Sequence, residues 1–110
     1  GGAGVQRDRD ALGPEAACAI LRTYLAQLPA DLAALDESLA AGDVAAIRKR
    51  AHRLRGGAGN FDLTGLCALT RRIEAEAGRN GAALREALKQ AGAAAVQELP
   101  AAANSLGLAL

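Results

Sequence analysis

Leu21-Arg22-Thr23-Tyr24-Leu25-Ala26-Gln27-Leu28-Pro29-Ala30-Asp31-Leu32-Ala33-Ala34-Leu35-Asp36-Glu37-Ser38-Leu39 sets a leucine at positions 21, 25, 28, 32, 35 and 39. Spacings of four and three alternate without a slip, which is the heptad seam of a helix that buries one stripe along its whole length. The seam crosses Pro29, a residue that removes one helical hydrogen bond and crowds the preceding turn. Because the register is the same on both sides, one long bent helix is expected; a break with a fresh start at Pro29 is the alternative. Pro14 suits the first turn of this helix. Gly42 sits where a left-handed glycine closes a helix, and Asp43 where an acceptor side chain caps the next one.

Outward from that seam the chain repeats the pattern. Val44, Ile47, Ala51, Leu54 and Ala58 make a second stripe, on a helix expected to fray between Gly57 and Asn60. Asp62 or Thr64 can cap a third helix, with Leu66, Leu69, Ile73 and Ala77 inside and an end at Gly78. Asn80 can cap the last, whose seam is Leu84, Leu88, Ala91, Ala95, Leu99, Ala102 and Leu106, crossed by Pro100. No alternating β-branched run exists, and Asn80-Gly81 lies between helical patterns. Short glycine-containing connectors between seamed helices make antiparallel neighbours. The expected fold is all-α: an up-down antiparallel four-helix bundle with an additional short N-terminal helix or extension. Residues 1–13 read as a flexible lead or the remnant of a linker, and residues 14–110 as the bundle.

Composition narrows the function. In 110 residues, 51% are hydrophobic but only 2% aromatic, so Ala and Leu supply the core. A net charge of +1 provides no global field toward nucleic acid or membrane. Missing aromatics argue further against nucleic acid. No apolar run is long enough to span a bilayer. Cys18 and Cys67 stand far apart and outside any CxxC pattern, which reads as free buried thiols in a reducing, cytoplasmic setting. Methionine is absent even from position 1, so the chain reads as a module of a longer protein.

The one histidine, His52, carries most of the functional information. On a wheel of about 100° per residue it lies roughly 125° from the centre of its helix's apolar stripe, so its ring points outward. Arg48 and Arg55 flank it at i−4 and i+3, and Gly56 and Gly59 stand at i+4 and i+7. Glycine costs a helix interior about 1 kcal/mol relative to alanine, yet Gly56, Gly57 and Gly59 crowd one turn. Something large is expected to approach this imidazole. Metal binding lacks a second histidine or a cysteine at ligand spacing. A hydrolase triad has no signature here, and the glycines lack the GKS or GKT of a P-loop. A neutral imidazole, however, has a free lone pair with which to attack phosphorus. Arg55, and secondarily Arg48, would then stabilise the phosphoryl group.

Ala51-His52-Arg53-Leu54-Arg55-Gly56, followed by Gly57-Ala58-Gly59-Asn60-Phe61, closely resembles the signature of histidine-containing phosphotransfer (HPt) domains, A-H-x-L-K-G with small residues after it. The resemblance extends through Leu66-Cys67-Ala68-Leu69, Arg72-Ile73-Glu74 and Ala40-Ala41-Gly42-Asp43, over roughly Pro14 to Leu106. It implies that His52 is phosphorylated, that Arg55 takes the place of a phosphate-stabilising lysine, and that Gly56 permits docking. Lys49, Gly56, Gly59 and Asn60 are the expected docking residues. Two departures are Arg55 for lysine and Asp62 where many members have glycine. The implied function is that of a phosphorelay intermediate, exchanging phosphoryl groups between receiver-domain aspartates and His52 as a module of a hybrid sensor histidine kinase. It implies no kinase activity and no cofactor of its own, with magnesium on the partner receiver, and a monomeric, cytoplasmic module. The alternatives are the phosphoacceptor domain of a chemotaxis-type histidine kinase and a docking bundle whose His52 is never phosphorylated.

Overall fold

The leucine seam forms one unbroken helix. A computed structural model, describing residues 2–110, shows five helices in order: α1 (Ala3–Leu12), α2 (Pro14–Ala41), α3 (Val44–Asn60), α4 (Thr64–Ala75) and α5 (Gly81–Ser105). No strand occurs among the described residues. At about 1.5 Å per residue, the 28 residues of α2 span about 42 Å, which is the long dimension of the molecule, 42 Å. Pro29 lies on the exposed side of α2, away from the core, and the helix passes through it. α2 packs on α3, α3 on α4, α4 on α5, and α5 back on α2, closing an antiparallel four-helix bundle. Leu21, Leu28, Leu35, Ile47, Leu54, Ile73, Leu84 and Leu99 are almost wholly buried in its centre. Burial of each such side chain contributes about 1.5–3 kcal/mol. No helix among the described residues is long and apolar enough to cross a membrane.

Helix ends follow the expected chemistry in part. Gly42 adopts φ +66°, and Asp43 caps α3 by accepting the Ala46 N–H at 3.2 Å. α4 instead begins after Leu63 with no side-chain cap, because Thr64 is already the first helical residue. It stops at Ala75 rather than Gly78, since the chain reverses through Gly78 (φ +85°) and Asn80 (φ +55°). Asn80 precedes α5 as expected, but its side chain donates to Glu76 at 2.7 Å instead of capping. In α5 the buried line drifts one position from the strict seam: Gly92 and Ala103 are buried where Ala91 and Ala102 were expected. A straight helix of 3.6 residues per turn drifts against a 3.5-residue repeat, and Gly92 lets the Leu32 methyls approach within what would be 2.8 Å of a Cβ. Cys18 is buried, whereas Cys67 is only half-buried.

The lead read as flexible is helical from Ala3 to Leu12, and Gly1 lies outside the described residues. Its composition shows one apolar anchor, Val5, and no stripe; what orders it is tertiary contact. Val5 is 1% exposed. Arg9 donates to the Leu106 carbonyl at 2.9 Å, and Arg7 to the Asn60 carbonyl at 3.3 Å. α1 therefore ties the chain's C-terminal segment to the end of α3.

Two arginines fix the rotation of α3. Arg50 reaches α2, donating to the Ala34 carbonyl at 2.7 Å and to the buried Ser38 hydroxyl. Arg55 reaches the other way, to Glu74 on α4. With Ile47, Ala51, Leu54 and Ala58 turned inward between them, the opposite face of α3 is open to solvent.

Tyr24 supports that face from beneath. Its ring stacks on Phe61 with centroids 4.5 Å apart, but its hydroxyl is buried without a hydrogen-bond partner among the described residues. Burial, with the Asp31 and Cys67 charges adding, pushes the phenol up to about 12. An orphaned buried hydroxyl costs on the order of 1 kcal/mol or more. Tyr24→Phe, which keeps the stack, is expected to be about 1 kcal/mol more stable in urea titrations. The fold favours the neutral phenol, so wild type holds this contribution below pH 10 and loses it as pH rises from 10.0 to about 12. The variant lacks that alkaline component; an identical decline in both proteins over this window would refute the assignment.

Candidate functional site

The open face of α3 presents His52, with 74% of its side chain exposed. Its Nδ1 turns back toward the protein and meets two groups: Arg55 Nη2 at 3.0 Å and Glu74 Oε1 at 3.6 Å. Arg55 and Glu74 are themselves paired, Nη1 to Oε2, with 28% and 22% of their side chains exposed. Nε2 makes no hydrogen bond among the described residues. The site is thus an exposed imidazole seated on a half-buried ion pair that spans α3 and α4.

The two neighbours make opposite demands on Nδ1. A guanidinium can only donate, so the Arg55 contact requires a lone pair on Nδ1 and puts the proton of a neutral ring on Nε2. A carboxylate can only accept, so bonding to Glu74 requires N–H at Nδ1 and frees the lone pair of Nε2, the outward nitrogen. At 3.0 Å against 3.6 Å, the arginine holds the ring in this conformation. Small movements of Arg55 and Glu74 therefore shift which nitrogen of the neutral ring carries the lone pair.

The other residues anticipated from the sequence fall into three groups. Arg48 and Lys49 are exposed one turn before His52 and form no ion pair or hydrogen bond among the described residues; Arg48 is not brought to the ring. Gly56 and Gly59 face open space, with no atom within 4 Å of where a Cβ would stand. Asn60 is exposed, though its carbonyl is held by Arg7. Gly57 departs from the reading that all three glycines clear an approach: a Cβ there would lie 2.7 Å from Cε1 of Tyr24, so this glycine admits the tyrosine ring to the helix. Asp62 has φ +54° and pairs with Arg7 at 3.4 Å, which accounts for glycine's suitability at that corner.

Glu74 was not anticipated as a site residue. The fold brings its carboxylate to the ring from α4. The usable signal was its place on α4: Cys67 and Glu74 lie seven residues apart on the flank of the Leu66, Thr70 and Ile73 stripe. Which neighbour that flank meets depends on the rotation of α4 against α3, and a wheel for one helix does not contain it.

His52 sits on the exposed face of α3. A groove lined by Leu32, Asp36, Arg85 and Lys89 runs elsewhere, between α2 and α5. An exposed imidazole with bare backbone beside it suits contact with another protein better than enclosure of a small molecule.

Comparison with the curated proteins and with the solved structures gives no match. Comparison with protein families matches the Hpt domain over residues 19–106. That span takes in α2 from Ala19, all of α3 and α4, and α5 to its C-cap, and it leaves α1 outside. The resemblance read from Ala51 to Phe61 thus holds at the level of the family: the chain belongs to the Hpt domains, which serve phosphotransfer in two-component and phosphorelay systems.

Proposed function

We propose that His52 is the residue phosphorylated, that its Nε2 is the nucleophile, and that the donor and acceptor are aspartates of receiver domains. The observation carrying this reading is the seating of an exposed imidazole, through Nδ1, on the Arg55–Glu74 pair, with Nε2 free. As a receiver's aspartyl phosphate arrives, Arg55 turns from Nδ1 toward the phosphoryl oxygens, and the ring proton moves to Nδ1, facing Glu74. The Nε2 lone pair attacks phosphorus, and the bond from phosphorus to the aspartyl oxygen breaks, returning its electron pair to the aspartate carboxylate. The ring gains positive charge while Nδ1 keeps its proton, and the Glu74 carboxylate stabilises it. Transfer onward runs the same steps backward. Magnesium belongs to the receiver in this reading, and the chain works as a module of a hybrid sensor kinase; the reading frame around it decides that last point.

The test is incubation with a phosphorylated receiver domain and, separately, with phosphoramidate, followed by mapping of acid-labile phosphate. One phosphate on His52 is expected from both donors, and none in His52→Gln, which should fold normally because the ring contributes little to the core. Label on another residue, or none at all, would leave a docking bundle in place of a phosphocarrier.

A further inference from the structure

The near-neutral chain is strongly polarised. α3 carries five cations, Arg48, Lys49, Arg50, Arg53 and Arg55, and no carboxylate. α2 carries four carboxylates, Glu15, Asp31, Asp36 and Glu37, against one cation, Arg22. On α3, Arg50 and Arg55 are taken up by Ser38 and Glu74. Arg48, Lys49 and Arg53 are exposed, and none makes an ion pair among the described residues. α4 adds Arg71, exposed and likewise unpaired, on the same stripe as Cys67 and Glu74, which face α3. Four unpaired cations therefore lie on the exposed faces of α3 and α4 that flank His52, and the open backbone of Gly56 and Gly59 lies on the same side of α3. The one carboxylate meeting the ring is already paired.

Nothing among the described residues pairs with these charges. Cations this close together raise one another's energy, and a stability argument would have placed acids among them. We propose that the face around His52 selects phosphodonor proteins whose docking rim is acidic, and that charge steering sets the rate of encounter. The proposal rests on the reading of His52 as phosphoryl acceptor. Charge complementarity supplies the commitment to this partner: long-range attraction can raise association rates by about 10- to 1,000-fold and orients the approach before contact. The bare glycine shelf then admits a flat protein surface. A nucleic-acid backbone is the weaker fit, because both aromatic rings, Tyr24 and Phe61, are stacked on each other beneath the face and offer no base a platform.

The experiment measures kcat/KM for phosphoryl transfer to the full chain from two purified phosphorylated receiver domains, one with an acidic rim and one with a basic rim. Transfer from the acidic receiver is expected to be at least about tenfold faster, and to fall about tenfold as sodium chloride rises from roughly 50 to roughly 300 mM. Arg53→Gln/Arg71→Gln should lower the low-salt rate from the acidic receiver by about tenfold and flatten its salt dependence. Labelling of wild-type His52 by phosphoramidate, a donor without a rim, should show neither effect. Equal rates from the two receivers, or a double variant with unchanged rate and salt slope, overturn the steering proposal while phosphoramidate labelling upholds the phosphocarrier. Absence of labelling from every donor removes both. A short DNA duplex that binds wild type, fails to bind the double variant and blocks receiver transfer would reassign the face to nucleic acid.

Discussion

Gly56→Leu is expected to fold at least as stably as wild type yet lose receiver-dependent phosphorylation, while Gly57→Leu, one residue on, is expected to lose stability. The two glycines are neighbours in sequence and 100° apart on α3. At Gly56 an added Cβ meets nothing within 4 Å. Any side chain there projects into solvent, and the helix gains about 0.5–1 kcal/mol from losing a glycine. The same leucine stands beside the imidazole. An aspartyl phosphate must bring its phosphorus to about 3–3.5 Å from the attacking nitrogen, which the interposed side chain prevents for a protein-sized donor. Phosphoramidate should still label His52 in this variant.

At Gly57 the Cβ would sit 2.7 Å from Cε1 of Tyr24. That atom is no flexible chain end: the ring is stacked on Phe61, itself 5% exposed. Overpacking of this kind costs about 1–3 kcal/mol and sometimes more, against which the helix-propensity gain is small. For a domain of this size the melting temperature should fall on the order of 10 °C. Thermal melts and single-turnover transfer separate the two variants. If Gly56→Leu takes phosphate from its receiver at the wild-type rate, the glycine is only a feature of the helix, and the docking face lies elsewhere.

That pair of residues also marks where sequence reasoning stops. The long leucine-seamed helix, the Gly42 and Asp43 boundary, and the outward angle of His52 follow from local pattern and periodicity, and the structure agrees with each, although Leu25 and Leu32 of the seam are only half-buried. Gly57 looked like Gly56 because its neighbour across the bundle, Tyr24, lies 33 positions away in sequence. Glu74 was invisible as a site residue for the same reason: its meeting with His52 depends on how α4 is rotated and slid against α3. The N-terminal lead shows the limit from the other side. One valine and two arginines carry too little pattern to call a helix, but enough contact to hold one. Local patterns give elements and faces; pairings between faces require the fold.

Glu74→Ala is expected to slow phosphoryl transfer by about one to two decades, and Glu74→Gln to keep much of the rate. Without the carboxylate, Arg55 has one remaining partner, Nδ1 of His52, and it already lies at 3.0 Å. Its donation fixes the lone pair at Nδ1 and the proton at Nε2, so the outward nitrogen loses nucleophilicity. The positive charge that develops on the ring during attack also loses its counter-charge. A charge-assisted contact is worth roughly 1.5–3 kcal/mol, which corresponds to about one to two decades when it is felt fully in the transition state. Glutamine can still accept from Nδ1–H and still occupy Arg55 through its amide oxygen, so it restores the tautomer without the full charge. Arg55→Ala should slow transfer by a similar factor for a different reason, the loss of a cation on the phosphoryl oxygens. The two residues are coupled through one nitrogen, so the double variant Arg55→Ala/Glu74→Ala should be slower than either but by less than the product of the single effects. The ring nitrogens report the cause directly: in ¹⁵N spectra of the neutral form, Glu74→Ala should shift the tautomer balance toward Nε2–H, and Glu74→Gln should not. Wild-type rates and an unchanged tautomer in Glu74→Ala would reduce the pair to a tie between two helices.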